Sequence, residues 1–219
     1  MDQQRSKRQA RVADYEHDAE PVKAALAAAG IDTGDFGRFV NRPVPGVLEP
    51  AHFDAARAMP VLLEWLPRAS NEKLREAMVR HLAIKTRDGL VAEALIEEYH
   101  RPGSVNYKWV VADTLAFVCD KRHFGAITDL AADTSHGLGR QPLVGMLWRI
   151  KTPAADEILL NAIADPDTAL AAMSALRRRF GNAAARQHIA SLLQHPDQRV
   201  RGAASQQLRR IDRQLTGST

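Results

Sequence analysis

The sequence of 219 residues has little cysteine, few aromatic residues and no long apolar run. Its single cysteine, Cys119, cannot form an internal disulfide, and its apolar helical surroundings favour a buried thiol. No stretch of about 18 apolar residues is present, and the charged residues 1–11 lead into no apolar segment, so neither a membrane-spanning helix nor a signal peptide is predicted. These absences favour a cytoplasmic protein in a reducing compartment.

Alanine and leucine supply most of the apolar residues, whereas valine, isoleucine and threonine are comparatively few. This composition favours helices over sheet, because straight-chain and small side chains lose little freedom in a helix. Apolar residues make up 45% of the chain and aromatics only 5%, so a core would be filled mainly by aliphatic side chains. An all-α fold class is therefore predicted.

Positive charge is concentrated at the C-terminal end. The segment from Thr168 to Thr219 contains nine arginines and two aspartates, while the formal charge of the whole chain is only +4, so the preceding residues are net acidic. Two interpretations stay open: this end binds an anionic partner, or it is a solvated helical flank in which arginine serves as a good helix former.

One apolar pattern recurs at spacings of 29 to 33 residues. Its anchors are five leucines, namely Leu82, Leu115, Leu147, Leu176 and Leu208. Apolar or small residues stand four positions before each anchor, which is about one helical turn, so each segment has a continuous apolar face. A second set stands sixteen residues before the anchors and marks a first helix in each repeat, namely Leu66, Tyr99, Ala131, Leu160 and Leu192.

The two sets of positions predict helical hairpins that share a core by stacking on one another. The predicted hairpins are residues 52–85, 89–120, 122–151, 153–181 and 183–215. Turn-forming and capping residues such as Pro102-Gly103 and Gly181-Asn182 fall between the predicted helices.

The first fifty residues do not follow this pattern. Pro21 to Ala29 is typical of a helix that proline starts and Gly30 ends, and Asp32 to Pro50 is a loop rich in glycine and proline around a short turn, Asp35 to Val40. This region either caps the stack or forms an arm that binds a partner or a second copy. The predicted organisation is a disordered tail (1–11), an N-terminal helical cap and loop (12–50), a repeat domain (51–215) and a tail (216–219).

The segment Asp-Gln-Arg-Val-Arg-Gly-Ala-Ala from Asp197, followed by Leu208 and Ile211, resembles the second helix of HEAT repeats, and so do residues 71–82 and 107–118. The resemblance covers residues 52–215. It implies an α-α superhelix, a HEAT-like solenoid of about five helical hairpins, with partners held in a concave groove formed by the second helices. It also implies a ladder of basic residues that contact acids or carbonyls of neighbouring turns, with a gap at Ala169. The ladder positions are Arg75, Lys108, Arg140 and Arg201.

If the anchors are core residues, neighbouring positions of the second helices face the groove. The predicted binding residues are Trp109, Asp113, Arg140, Gln141, Trp148, Arg177 and Arg209. Two tryptophans beside small residues would supply aromatic anchors for a partner, although packing in the interior is the other interpretation of the same indoles. The sequence thus favours a non-enzymatic module that binds a protein or peptide.

A second resemblance gives the alternative. Trp109 and Asp113, four residues apart, together with Arg140, resemble the cleft of DNA alkylation repeat glycosylases, which are built of HEAT-like hairpins. The resemblance implies that the indole stacks near a cationic damaged base, that Asp113 is the catalytic carboxylate and that Arg140 contacts the DNA backbone. An indole face and a carboxylate both stabilise a developing positive charge. The sequence departs from that family at Met173, where a further cleft tryptophan would stand.

Signatures of other chemistries are missing. The eight histidines include no pair at i, i+4 and no His-Glu dipeptide, and no glycine-rich phosphate loop occurs. The sequence therefore predicts no metal site, no cofactor and no membrane partner. Nucleic acid remains the alternative partner, through the basic C-terminal repeats.

Overall fold

The computed structural model describes residues 2–33 and 54–216, and all regular secondary structure in these residues is helical. The predicted all-α class is confirmed. Contacts divide the chain into two units, Met1–Gly103 and Ser104–Thr219. The boundary falls between the two helices of the second predicted hairpin, so the predicted repeat domain 51–215 coincides with neither unit.

The first unit contains helices α1 (Asp2–Ala28), α2 (Ala55–Trp65), α3 (Glu72–His81) and α4 (Leu90–His100). Helix α1 contacts α2 and α3, and it buries Val22 and Leu26 almost completely. The carboxylate of Asp18 on α1 accepts hydrogen bonds from Ser70 Oγ at 2.7 Å and from the backbone N–H of Asn71 at 3.1 Å. Helix α1 is thereby fixed to the segment that starts α3.

Helix α1 is longer than predicted. The pattern predicts a disordered tail over residues 1–11 and a helix that begins at Pro21, whereas α1 begins at Asp2 and contains Pro21 in its interior. The segment forms a helix because it has no glycine or proline between Asp2 and Glu20 and is rich in Gln, Arg, Glu and Ala, which are good helix formers.

The C-terminal end of α1 follows the prediction. Gly30 has a φ of +72°, a conformation that residues with a Cβ rarely adopt, and its N–H bonds to the carbonyl of Ala27 at 2.8 Å. The N–H of Ile31 bonds to the carbonyl of Leu26 at 3.0 Å, and both side chains are buried. The predicted turn Asp35 to Val40 lies outside the described residues.

The α-helices of the second unit are α5 (Val105–Val118), α6 (Phe124–Ala132), α7 (Gln141–Met146), α8 (Pro153–Ala162), α9 (Ala169–Phe180), α10 (Asn182–Ala190) and α11 (Gln198–Thr216). Short 3₁₀ helices join some of them, at Lys121–His123, Thr134–Arg140, Leu147–Arg149 and Ser191–Gln194. The pairs α6–α7, α8–α9 and α10–α11 match the last three predicted hairpins. The tail beyond Thr216 lies outside the described residues.

The anchor leucines lie in the core with one exception. Leu82, Leu115, Leu147 and Leu176 have no exposed surface, and Cys119 is buried as predicted. The exception is Leu208, which is half-buried, because the amide side chain of Gln207 takes the core position. In the first-helix set, Leu159 is buried and the predicted Leu160 is exposed. Leu159 and Leu160 are equally apolar, so the apolar pattern could not show which of the two is buried.

Candidate binding surface

The second helices of the predicted hairpins in residues 104–219 are α5, α7, α9 and α11, and they contact one another in chain order. Helix α7 contacts α5 and α9, and α9 contacts α11. The anchors Leu115, Leu147 and Leu176 are buried, while other side chains of the same helices are half-buried or exposed. We call these accessible side chains the second-helix surface, and its members are Trp109, Asp113, Gln141, Trp148, Arg177, Arg178, Gln206, Arg209 and Arg210.

Trp109 is held by a polar partner on the next second helix. Its indole Nε1–H donates to Gln141 Oε1 at 3.0 Å, and Gln141 Nε2 donates to the backbone carbonyl of Asp167 at 3.4 Å. An indole has a single hydrogen-bond donor, and in Trp109 this donor is satisfied within the protein. A partner would therefore contact the half-buried ring of Trp109 rather than its N–H.

Trp148 is the second indole of the surface. It lies in the 3₁₀ helix that continues α7, and the guanidinium of Arg178 on α9 stacks over its ring at 5.5 Å from the centroid. A cation over an indole face is attracted by the electrons of the ring. This contact places an exposed positive charge beside a half-buried aromatic ring.

Arg140 does not belong to this surface. Its side chain is 3% exposed, it is ion-paired with Asp165, and it donates to the carbonyl of Ala131. A guanidinium in this environment cannot reach a DNA backbone, so burial favours the ladder interpretation over the binding one. Asp113 is half-exposed on α5, one turn after Trp109, so the structure does not assemble the three predicted cleft residues at an open site.

Two other basic positions follow the same ladder pattern. Arg75 in the first unit is buried, is ion-paired with Glu98 and donates to the carbonyl of Pro102. Arg201 on α11 donates to the carbonyls of His195 and Pro196 at 2.7 and 2.8 Å. The predicted contacts with acids and carbonyls are thus confirmed for these arginines and for Arg140.

Arg177 on α9 is fixed by neutral amides. It donates from Nε to Asn182 Oδ1 at 3.0 Å, from Nη1 to Gln207 Oε1 at 2.8 Å and from Nη2 to Gln214 Oε1 at 2.8 Å. Gln207, which is fully buried, donates in turn to Ser174 Oγ at 2.8 Å. Partial burial lowers the pKa of Arg177, and the neighbouring charges of Arg210 and Arg178 lower it further.

A polar pocket of about 390 Å³ lies beside this arginine. Its lining residues are Ser174, Arg177, Arg178, Asn182, Arg210 and Gln214. We call it the arginine pocket. The described residues that line it contribute three guanidinium groups and no carboxylate, so its field is strongly positive.

Several other arginines of the C-terminal segment are neutralised locally. Within the described residues, Arg179 pairs with Asp156 at 2.7 Å and Arg186 with Asp212 at 3.3 Å. A third, Arg199, pairs with Asp167 at 3.1 Å and Asp197 at 3.2 Å. Three guanidinium groups without an ion pair among the described residues, those of Arg177, Arg178 and Arg210, lie together at the arginine pocket.

Sequence reasoning identified Arg177 and Arg209 but missed Arg178, Arg210 and Gln207. Runs of arginine recur on two successive second helices, at residues 177–179 and 209–210, and this repetition was the signal available in the sequence. The sequence contains no such signal for Gln207. The apolar pattern assigns the core position to Leu208, and nothing in it shows that the neighbouring glutamine is the buried residue.

Metal-ligating side chains do not cluster in the described part of the chain, where no group of three or more His, Cys, Asp or Glu residues comes together. None of the described helices is both long and apolar enough to cross a membrane.

Comparison with known proteins gave no match to a family model, to a curated protein or to a solved structure. A functional assignment therefore rests on the residues of this chain and their geometry.

Proposed function

We propose that the chain is a non-enzymatic HEAT-type module that holds a protein partner on the second-helix surface of residues 104–219. In this proposal the pairs α6–α7, α8–α9 and α10–α11 are successive repeats of an α-α superhelix, and their second helices form its concave side. The contacts of α7 with α5 and α9, and of α9 with α11, support this arrangement.

The observation that carries the proposal is the placement of two indoles by polar partners. Trp109 is held by Gln141, and Trp148 carries the stacked guanidinium of Arg178. Tryptophan and arginine are the residue types that most often dominate the free energy of protein interfaces. Side chains already fixed in the free protein lose less entropy on binding, so this surface is preorganised for a partner.

Site-specific photo-crosslinking in the producing cells tests the proposal. A benzoylphenylalanine replaces Gln206, which lies on the second-helix surface, or Leu193, an exposed residue of the 3₁₀ helix Ser191–Gln194. We expect one defined protein to be crosslinked from position 206 and not from position 193, and crosslinking to fall when Trp148→Ala is added. Equal labelling from both positions, or labelling that Trp148→Ala leaves unchanged, would refute the proposal.

Nucleic-acid binding is the second candidate, and the arginine pocket is the observation in its favour. Ion pairing of Arg179, Arg186 and Arg199 interrupts the positive charge, which does not suit an extended phosphate backbone. The glycosylase alternative also requires Arg140 to contact DNA, and this residue is buried. Titration of the full chain with duplex DNA tests this candidate: binding at low salt that weakens steeply as salt is raised would support it, and no binding at low salt would eliminate it.

A further inference from the structure

Among the described residues, no carboxylate pairs with Arg177 of the arginine pocket. Arg177 has five N–H donors, and its hydrogen bonds to Asn182, Gln207 and Gln214 occupy three of them. All three acceptors are neutral amide oxygens, so the geometry of the guanidinium is fixed while its charge is not neutralised. One donor on each of its two terminal nitrogens is left for a ligand.

Other arginines of the same unit show that this is not the general arrangement. The buried Arg140 is ion-paired with Asp165, and the half-buried Arg179 binds both carboxylate oxygens of Asp156, at 2.7 and 2.8 Å. For these two arginines the chain supplies a carboxylate, whereas Arg149 and Arg201 donate to backbone carbonyls. At Arg177 it supplies amides instead, in contact with a pocket.

Two further cations complete the pocket. Arg178 is placed by its stack on Trp148, and Arg210 is exposed on α11; neither has an ion-pair partner among the described residues. Mutual repulsion of the three guanidinium groups contributes to the lowered pKa of Arg177. An anion bound between them would remove that repulsion, and the volume of about 390 Å³ leaves room for the group that carries it.

We propose that the arginine pocket binds a phosphate monoester as its dianion. A phosphate monoester carries nearly two negative charges and three terminal oxygens, which suits three separate guanidinium groups. A carboxylate or a phosphodiester has one charge and only two terminal oxygens. The phosphate could belong to a phosphorylated side chain of the protein partner, a source that rests on the proposed function, or to a free phosphorylated small molecule, which does not.

Chemical-shift titration of the full chain with small anions tests the pocket. The probes are phenyl phosphate, its methyl ester as the matched diester, and benzoate as the matched carboxylate, all at pH 7.5. We expect phenyl phosphate to bind at least about tenfold more tightly than either monoanion, because one more charge-assisted contact is worth about that factor. Equal affinity of the three probes would overturn the proposal.

Variants locate the binding. Arg178→Gln and Arg210→Gln change exposed residues and should each weaken phenyl phosphate binding at least about fivefold. Arg199→Gln removes the same charge outside the pocket and should change it less than about twofold. An equal effect of Arg199→Gln would mean unspecific attraction and would overturn the proposal. Displacement of phenyl phosphate by duplex DNA, with the diester binding as well as the monoester, would overturn it in favour of nucleic acid.

Phosphatase treatment separates the two sources, and both uphold the pocket. If it prevents capture of the protein that crosslinks from position 206, the phosphate belongs to the partner; if it does not, a free phosphorylated compound is the ligand. The two proposals can fail separately. Phenyl phosphate binding without any crosslinked protein would refute only the proposed function, whereas a crosslinked protein without a preference for phenyl phosphate would refute only the pocket.

Discussion

Two regions of residues 104–219 hold an arginine in different ways. At the end of the 3₁₀ helix Thr134–Arg140, Arg140 is buried and faces the carboxylate of Asp165, so its charge is neutralised inside the protein. Between α9 and α11, Arg177 is held by three amides and keeps its charge beside a pocket. The difference indicates that the first arginine serves the fold and that the second is available to a ligand.

The largest loss of stability is expected where the counter-ion of a buried arginine is removed. In the first unit, Glu98 is 2% exposed and pairs with the buried Arg75, so Glu98→Gln leaves a buried cation without its carboxylate. We expect the free energy of unfolding to fall by about 3 to 5 kcal/mol. Chemical denaturation of the full chain measures it.

The control for this change is an exposed pair. Glu64 and Arg68 form an ion pair on α2 and just after it, with both side chains more than half exposed, so Glu64→Gln should cost less than about 1 kcal/mol. Equal losses for Glu98→Gln and Glu64→Gln would show that burial does not distinguish the ladder arginines from surface ones.

The next variant gives Arg177 the kind of environment that Arg140 has. Gln207→Glu places a carboxylate against Arg177 at a fully buried position, which gives this arginine the counter-ion that Arg140 already has. The pocket then loses one net positive charge, and we expect phenyl phosphate affinity to fall by about tenfold or more. Chemical-shift titration measures the affinity, and chemical denaturation verifies that the variant folds.

Gln198→Glu is the matched control for Gln207→Glu. It adds the same charge at an exposed position at the start of α11, about 18 Å along the helix from Arg210. Its effect on phenyl phosphate affinity should stay below about twofold, since exposed charges at such a distance are largely screened. If Gln207→Glu binds phenyl phosphate as tightly as the parent chain, Arg177 takes no part in anion binding.

The same comparison shows what the sequence could and could not predict. Leu115, Leu147 and Leu176 were identified as core residues because helical periodicity places residues four apart on one face. The ladder position of Arg140 was an implication of the resemblance to HEAT repeats. Its counter-ion was not, because Asp165 lies 25 residues further along the chain and only the fold brings the two together.

The arginine pocket was beyond prediction for a related reason. It depends on the buried Gln207 taking a core position that the repeat pattern gave to Leu208, and on Asn182 and Gln214 reaching the same guanidinium from two helices. A pattern of apolar residues records which face is buried. It does not record which polar side chains converge at the end of that face.

A smaller effect is expected at the aromatic side of the pocket. Trp148→Leu removes the ring that positions Arg178 but keeps the charge of all three guanidinium groups. A cation–π contact near the surface is worth about 0.5 to 1 kcal/mol, so we expect phenyl phosphate affinity to fall by roughly two- to fivefold. Trp109→Leu, on α5, should leave this affinity unchanged. Equal losses of affinity in the two variants would show that Trp148 has no specific role in anion binding at the pocket.

The smallest effect concerns an exposed pair, Asp120 with Arg122. The side chain of Arg122 donates to the carboxylate at 2.7 Å and its backbone N–H at 2.9 Å, and these bonds lower the pKa of Asp120 from 3.8 to about 2. A carboxyl group whose pKa is lower in the folded than in the unfolded chain stabilises the fold above about pH 4 and loses that contribution as the pH falls towards about 2. Asp120→Asn should therefore flatten the decline of the unfolding free energy, measured by chemical denaturation, over this pH window.

Arg122→Gln is the control, because it keeps the backbone donor and should flatten the decline less. If the decline in Asp120→Asn is as steep as in the parent chain, this surface pair contributes nothing to stability in acid.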